Sequence, residues 1–322
     1  MSQGPPTAEP FRVVFMGTPP FALPSFQSIF ESEEVIAVVT QPDRPKGRGG
    51  TRTPPPIKIA AIQKGLPVYQ PERLRKAPLF VEDLSRLAPD LIVVVAFGQI
   101  LPDLILQIPQ YGCINLHASL LPKYRGAAPV QWAVIHGEAE TGVTTMQMDT
   151  GMDTGPILQQ RSVMIDPDET ADFLASRLAV IGAELLVETV ARLKDGALKA
   201  VPQDPSRGTI APLLKKADGM IRWEARAQAI YNRWRGLFPW PGSTTFYGRE
   251  RWKITSLRIG SSEGSWGRPG EVIRLSEKGL EVAAGMGYIL INGLQPEGRR
   301  KMTPREYAVG HRIEEGSFLL SF

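Results

Sequence analysis

Leu91-Ile92-Val93-Val94-Val95-Ala96-Phe97 is the stretch on which the fold turns. A strand with one wet face alternates apolar and polar residues, because successive side chains point to opposite sides. An unbroken apolar run fits instead a strand covered on both faces, as in a parallel sheet flanked by helices. Working outward, residues 11–16, 35–40, 113–121 and 143–148 are further strand candidates, and residues 20–30, 57–64 and 78–87 read as helices. This alternation predicts an open, doubly wound, Rossmann-like α/β domain. Apolar residues at helical spacing, from Phe173 and Leu174 to Leu186 and Val190, predict a long amphipathic helix over 170–193, ending before Gly196.

Beyond that helix the pattern changes. Residues 198–211 (LKAVPQDPSRGTIA) are rich in proline and polar residues and read as a linker. After a helical segment at 223–236, short β-type runs at 243–247, 252–259, 270–276, 280–283 and 288–295 predict a small barrel. The expected organisation is a catalytic domain over 11–197, a linker over 198–211 and a β-barrel domain over 212–322. Residues 1–10 read as a tail outside both.

Charge divides in the same way. Residues 1–197 carry 17 Lys+Arg against 21 Asp+Glu, and residues 198–322 carry 20 against 12. A basic module on a mildly acidic one fits a polyanionic partner such as nucleic acid, and equally a solvated basic surface. A single cysteine, Cys113, excludes an internal disulfide and a cysteine-rich zinc site. His117, His136 and His311 are too scattered for a metal cluster, so no metal is expected. No apolar run is long enough to span a bilayer, and the N-terminal residues lack the apolar core of a signal peptide, so a cytoplasmic protein is expected.

Two familiar motifs fail on inspection. The first strand runs into Met16-Gly17-Thr18-Pro19-Pro20, with one glycine where a dinucleotide fingerprint needs three. Asp149-Thr150-Gly151 and Asp153-Thr154-Gly155 resemble aspartic-protease triplets, but that chemistry needs two carboxylates from facing lobes, not one loop.

The informative segment is Cys113-Ile114-Asn115-Leu116-His117-Ala118-Ser119-Leu120-Leu121-Pro122. Asn115 and His117, two apart on an expected strand, share a face. An amide that can donate to an oxyanion beside an imidazole that can move protons suits acyl transfer. A bare Asn-x-His is also what a loop-satisfying amide and a core histidine look like, and the pair alone leaves both open.

Taken with Arg125-Gly126-Ala127-Ala128-Pro129 and Met148-Asp149-Thr150-Gly151-Met152-Asp153-Thr154-Gly155, the segment resembles the 10-formyltetrahydrofolate-dependent formyltransferases, and among them the methionyl-tRNA formyltransferases. The resemblance implies a catalytic triad of Asn115, His117 and Asp153, with 10-formyltetrahydrofolate as formyl donor. It implies a folate site framed by Phe97, Gly98, Ile100 and Leu101, by Ser119, Leu120, Leu121 and Pro122, and by Met148 and Asp149. It makes the second domain an oligonucleotide-binding (OB-like) barrel and the acceptor the initiator methionyl-tRNA, on a monomeric enzyme. The loop Gln41-Pro42-Asp43-Arg44-Pro45-Lys46-Gly47-Arg48-Gly49-Gly50 resembles the insert of the tRNA-directed members. Arg44, Lys46 and Arg48 are the expected tRNA contacts, in a stretch where Arg52 and Lys58 add charge against Asp43 alone. The alternative acceptor is a small amine such as an amino-sugar nucleotide. Two departures stand out: Pro20 where the family usually has an acid, and Thr51, Thr53 and three prolines where basic residues are common.

Overall fold

The computed structural model describes residues 9–46 and 50–321. By proximity in space they form two compact units. The first holds the residues up to 129, with 140–164 and 175–212. The second holds 130–139, 165–174 and the chain from 213 onward.

The first unit is built on β1 (Arg12–Gly17), β2 (Glu34–Val39), the small antiparallel pair β3 (Arg44–Lys46) and β4 (Thr51–Thr53), and β5 (Val68–Tyr69). It continues with β6 (Leu91–Val95), β7 (Cys113–His117), β8 (Arg125–Gly126), β9 (Glu140–Gln147), β10 (Ile157–Met164) and β11 (Ile210–Ala211). Seven of these make one sheet in the order β10-β9-β7-β6-β1-β2-β5. β6 lies parallel between β1 and β7, and all five of its residues are buried. The continuous apolar run is therefore the signature of its place in the sheet. β9 and β10 join antiparallel, making the sheet mixed. The helices along the chain are α1 (Leu23–Ser32), α2 (Pro56–Gln63), α3 (Pro78–Arg86), α4 (Asp103–Leu106), α5 (Pro129–His136) and α6 (Ala171–Lys194). Leu74, Phe80, Leu84 and Ile105 pack with Val14, Val94 and Cys113 in an apolar cluster.

Three elements differ from expectation. The strand expected over 113–121 stops at His117, where Ser119 Oγ donates to Lys123 O (2.6 Å) and turns the chain. β10 was not foreseen, since its sequence ILQQRSVM alternates partly buried and exposed positions and carries four polar residues in its middle. The stretch read as a linker is paired rather than loose: Val201 and Ile157 exchange backbone bonds at 2.8 Å, and β11 runs parallel to β8.

The second unit contains α7 (Ala227–Leu237) and the strands β12 (Ser243–Tyr247), β13 (Glu250–Ser261), β14 (Val272–Ser276), β15 (Gly279–Ala283) and β16 (Tyr288–Pro296). Helix α8 (Pro304–Gly310) and β17 (Leu319–Leu320) complete it. The antiparallel order is β14-β15-β16-β13-β12-β17. The sheet curls until its edges meet: Val272 N donates to Ser317 O, Gly316 N to Val272 O and Leu319 N to Gly270 O, each at 2.8 Å. The expected small barrel is thus a curled antiparallel sheet whose two sides are stitched together. Inside it Trp252 is fully buried between Tyr247 and Tyr307, at centroid distances of 5.0 and 4.8 Å. Thr303 and Glu306 cap α8 reciprocally.

Candidate active site

β7 carries the chemistry because of where its face begins. Cys113 packs in the apolar cluster with Val94, Phe97 and Leu101, and Met148 packs against it. Burial pushes the Cys113 thiol up to about 12, so it serves as packing and not as a nucleophile. Two and four residues further along, the same face presents Asn115 and then His117, both buried.

The two differ in how they are held. Asn115 sits between β6 and β9, opposite Val94 and Met146. Its side-chain amide has no hydrogen-bond partner among the described residues. The amide is not sealed from solvent, so it is open to a ligand that takes the place of water. His117 Nε2 lies 2.8 Å from the carbonyl oxygen of Tyr124. A carbonyl only accepts, so Nε2 carries the hydrogen, and in the neutral ring Nδ1 holds the lone pair. Nδ1 faces Asp153 Oδ2 at 3.7 Å, an ion-pair distance too long for a hydrogen bond. That carboxylate oxygen instead accepts from Gly126 N at 2.8 Å. The geometry leaves Asn115 Nδ2, His117 Nδ1 and a carboxylate available on one face.

Backbone strain gathers here. Four non-glycine residues among those described have positive φ, and three lie at this site: Ala96 (48°) after β6, Tyr124 (61°) and Asp153 (54°). Such conformations persist only where the surroundings over-determine them, and they concentrate at functional sites.

The residues expected to frame a folate fall into two groups. Phe97 and Leu101 are in the core, with Gly98 and Ile100 exposed between them. Thr18 Oγ1 and Gln41 Nε2 both donate to Phe97 O, at 3.0 and 3.3 Å. The loop after His117 is wired to β9 and β10: Thr144 Oγ1 donates to Ser119 O and accepts from Leu121 N, while Gln160 Nε2 donates to Leu121 O. Leu120 and Pro122 are half-buried, and the Leu121–Pro122 peptide is cis. Met148 is half-buried; Asp149 is exposed and accepts from Gly151 N and Thr154 Oγ1, bracing its own loop.

In the basic insert, Arg44 is exposed and Lys46 ends β3, while Arg48 lies outside the described residues. Lys58 is spent elsewhere. Its ammonium donates to both oxygens of Asp43 at 2.8 Å, and Gln70 Nε2 bridges Asp43 and Gln41 O. The Lys58 bond, then that from Gln70, hold the Asp43 carboxyl below the usual carboxylate range. Lys58 therefore anchors the foot of the insert and does not add to its free charge.

Sequence reasoning missed Tyr124, Arg125, Gln203 and Thr209 as partners of the triad. Arg125 stands in the quoted motif, but nothing in 198–211 marks Gln203 or Thr209, whose contacts are about 50 to 85 residues away in sequence.

The formyl transferase family matches residues 12–190, and its C-terminal domain matches residues 213–312. The methionyl-tRNA formyltransferase of Geotalea uraniireducens is 52% identical over 309 residues, 96% of this chain and 97% of that one. The one from Geobacter sulfurreducens is 50% identical over 309 residues, 96% of each. The chain belongs to the methionyl-tRNA formyltransferase family. Among solved structures, the sugar 3N-formyl transferase WlaRD, crystallised with dTDP and 5-N-formyl-THF, superposes with a TM-score of 0.65. It is 18% identical and covers 90% of this chain and 99% of its own, a likeness of fold alone. The Helicobacter canadensis N-formyltransferase in complex with folinic acid and dTDP-3-aminofucose scores 0.66 at 17% identity, over 87% and 98% of the chains. No helix among the described residues is long and apolar enough to cross a membrane, and no cluster of three His, Cys, Asp or Glu among them could hold a metal ion.

Proposed function

We propose that this protein transfers the formyl group of 10-formyltetrahydrofolate to the amino group of methionine on the initiator tRNA. The observation that carries this reading is the meeting of Asn115, His117 and Asp153 on one face of a formyl transferase fold. The unpartnered amide of Asn115 suits a bound carbonyl oxygen.

The folate supplies an activated formyl carbon, and the chain's residues do the rest. An α-amino group is about half neutral near pH 8, so the nucleophile needs no strong base. As it attacks, negative charge develops on the formyl oxygen, and Asn115 Nδ2 donates to it. A single donor of this kind is worth about 3 kcal/mol. With Nε2 committed to Tyr124, His117 works through Nδ1, beside Asp153. Those two groups carry the proton from the attacking nitrogen to N10 of the departing folate. Phe97 and Leu101 form the wall behind the pterin. Gly98, Ile100, Ser119, Leu120, Leu121, Pro122, Met148 and Asp149 are assigned to its rim.

The catalytic domain is assigned to residues 11–197 and the tRNA-binding barrel to 212–322, joined by 198–211. Arg44, Lys46 and Arg48 are assigned to the tRNA, with the excess positive charge of the barrel half adding salt-dependent backbone contacts. The enzyme is taken to act as a cytoplasmic monomer.

The decisive assay is formyl transfer to charged initiator tRNA by the wild type and His117→Ala. Robust wild-type transfer, lost by about a hundredfold or more in the mutant, is the expected result. No transfer to tRNA with the folate still bound would redirect the assignment to a small-amine acceptor such as an amino-sugar nucleotide.

A further inference from the structure

Residues 201–211 touch both halves of the proposed proton relay. Gln203 Nε2 donates to the backbone carbonyls of Asp153 (2.9 Å) and Gly155 (2.8 Å). Gln203 Oε1 accepts from Arg125 Nε and Nη2, at 3.1 and 2.7 Å. The amide thus spends both hydrogens on carbonyls and its oxygen on a guanidinium. Turning it over would set hydrogens against the cation, so its orientation is dictated. Six residues on, Thr209 Oγ1 accepts from Tyr124 N at 2.8 Å, while Thr209 O accepts from Arg125 N at 2.8 Å. The carbonyl of the same Tyr124 is the one that takes His117 Nε2.

The pattern has a physical reason. Asp153 and Tyr124 are both non-glycine residues in left-handed conformation. Neither would hold that shape unaided. Each is clasped by one residue of this segment: Asp153 at its carbonyl by Gln203, Tyr124 at its N–H by Thr209. Asn115, on a central strand, needs no such help.

We propose that residues 201–211 are a positioning strap for catalysis, in which Gln203 sets the carboxylate of Asp153 and Thr209 sets the imidazole of His117 through Tyr124. This rests on the assignment of Asp153 and His117 to formyl transfer. Neither Gln203 nor Thr209 touches the reacting atoms; they act through the residues they hold.

The test uses Gln203→Ala, Thr209→Val and Thr209→Ser in the full chain, with steady-state formylation of charged initiator tRNA. A misplacement of about 1 Å costs about a hundredfold in rate, so Gln203→Ala and Thr209→Val should each lower kcat by about ten- to a hundredfold. KM for both substrates should stay within about twofold, because binding surfaces are untouched. Thr209→Ser keeps the hydroxyl and should retain kcat within about threefold. In an Asp153→Asn background, Gln203→Ala should cost no more than about twofold further, since the carboxylate it positions is gone. A raised KM with unchanged kcat, equal losses in the Ser and Val variants, or the full additional loss in the Asp153→Asn background would overturn the strap. Wild-type turnover by Asp153→Asn alone would overturn the catalytic assignment itself, a failure read from a different variant.

Discussion

Replacing Asn115 with leucine separates a catalytic amide from a structural one, because the two roles leave opposite traces. The side chain is 8% exposed and its amide has no partner among the described residues. Leucine keeps asparagine's branching and heavy-atom count with somewhat larger methyl groups, so the substitution opens no cavity, and with the amide unpartnered it removes no protein hydrogen bond. Stability in urea should therefore stay within about 1 kcal/mol of wild type. The rate should fall by the worth of one oxyanion donor, about 3 kcal/mol, which at 1.36 kcal/mol per decade is roughly 150-fold. Single-turnover formylation of charged initiator tRNA, beside urea denaturation of the same preparation, reads both. A stability loss above about 1.5 kcal/mol with a rate within tenfold of wild type would refute the reasoning, since that is how a satisfied structural amide behaves.

Other expectations follow from the same geometry. Gly155→Ala would press a Cβ onto the carbonyl oxygen of Gln147, and should cost about 2–4 kcal/mol in denaturation while depressing kcat, because the strain falls on the loop carrying Asp153. Trp252→Ala empties the centre of the barrel and should cost about 3–5 kcal/mol, measured as a shift in the urea midpoint. The Asp43 carboxyl is held low in the folded state, so its pairing with Lys58 stabilises above the unfolded carboxylate pKa of about 3.9 and is lost as pH falls through the lower folded value. The stability gap between wild type and Asp43→Asn should accordingly be constant above about pH 5 and close below it, checked by denaturation across that range.

What was legible in the chain was whatever burial or local spacing dictates. The Leu91–Val95 strand announced itself because both faces are covered, and Asn115 and His117 announced a shared face because strand side chains repeat every two residues. What was illegible depends on partners distant in sequence. The polar middle of Ile157–Met164 conceals a strand whose register is set by pairing with Glu140–Gln147. Asp153 joins His117 from 36 residues away, and spacing alone could not place it; only family resemblance did. Proline-rich residues 198–211 look like a tether because their bonds go to Arg125, Asp153 and Ile157, none of them near in sequence. Lys58 looked like one more free cation until its bond to Asp43 removed it from the count.

The way the two sheets end bears on self-association. An unpaired strand edge is a template on which another chain can add, the first step toward aggregation. The curled sheet of the second unit meets this by stitching residues 270–272 to 316–319, which ties its outermost strands to each other. The seven-stranded sheet stays open but offers poor templates. Val68–Tyr69 at one side is two residues long, and Ile157–Met164 at the other carries Gln159, Gln160 and Arg161. Arg161 is tied to Glu184 and Glu188, so a chain docking there would have to strip a paired charge of its water. The same polar residues that hid this strand from sequence reading guard the molecule against its own copies.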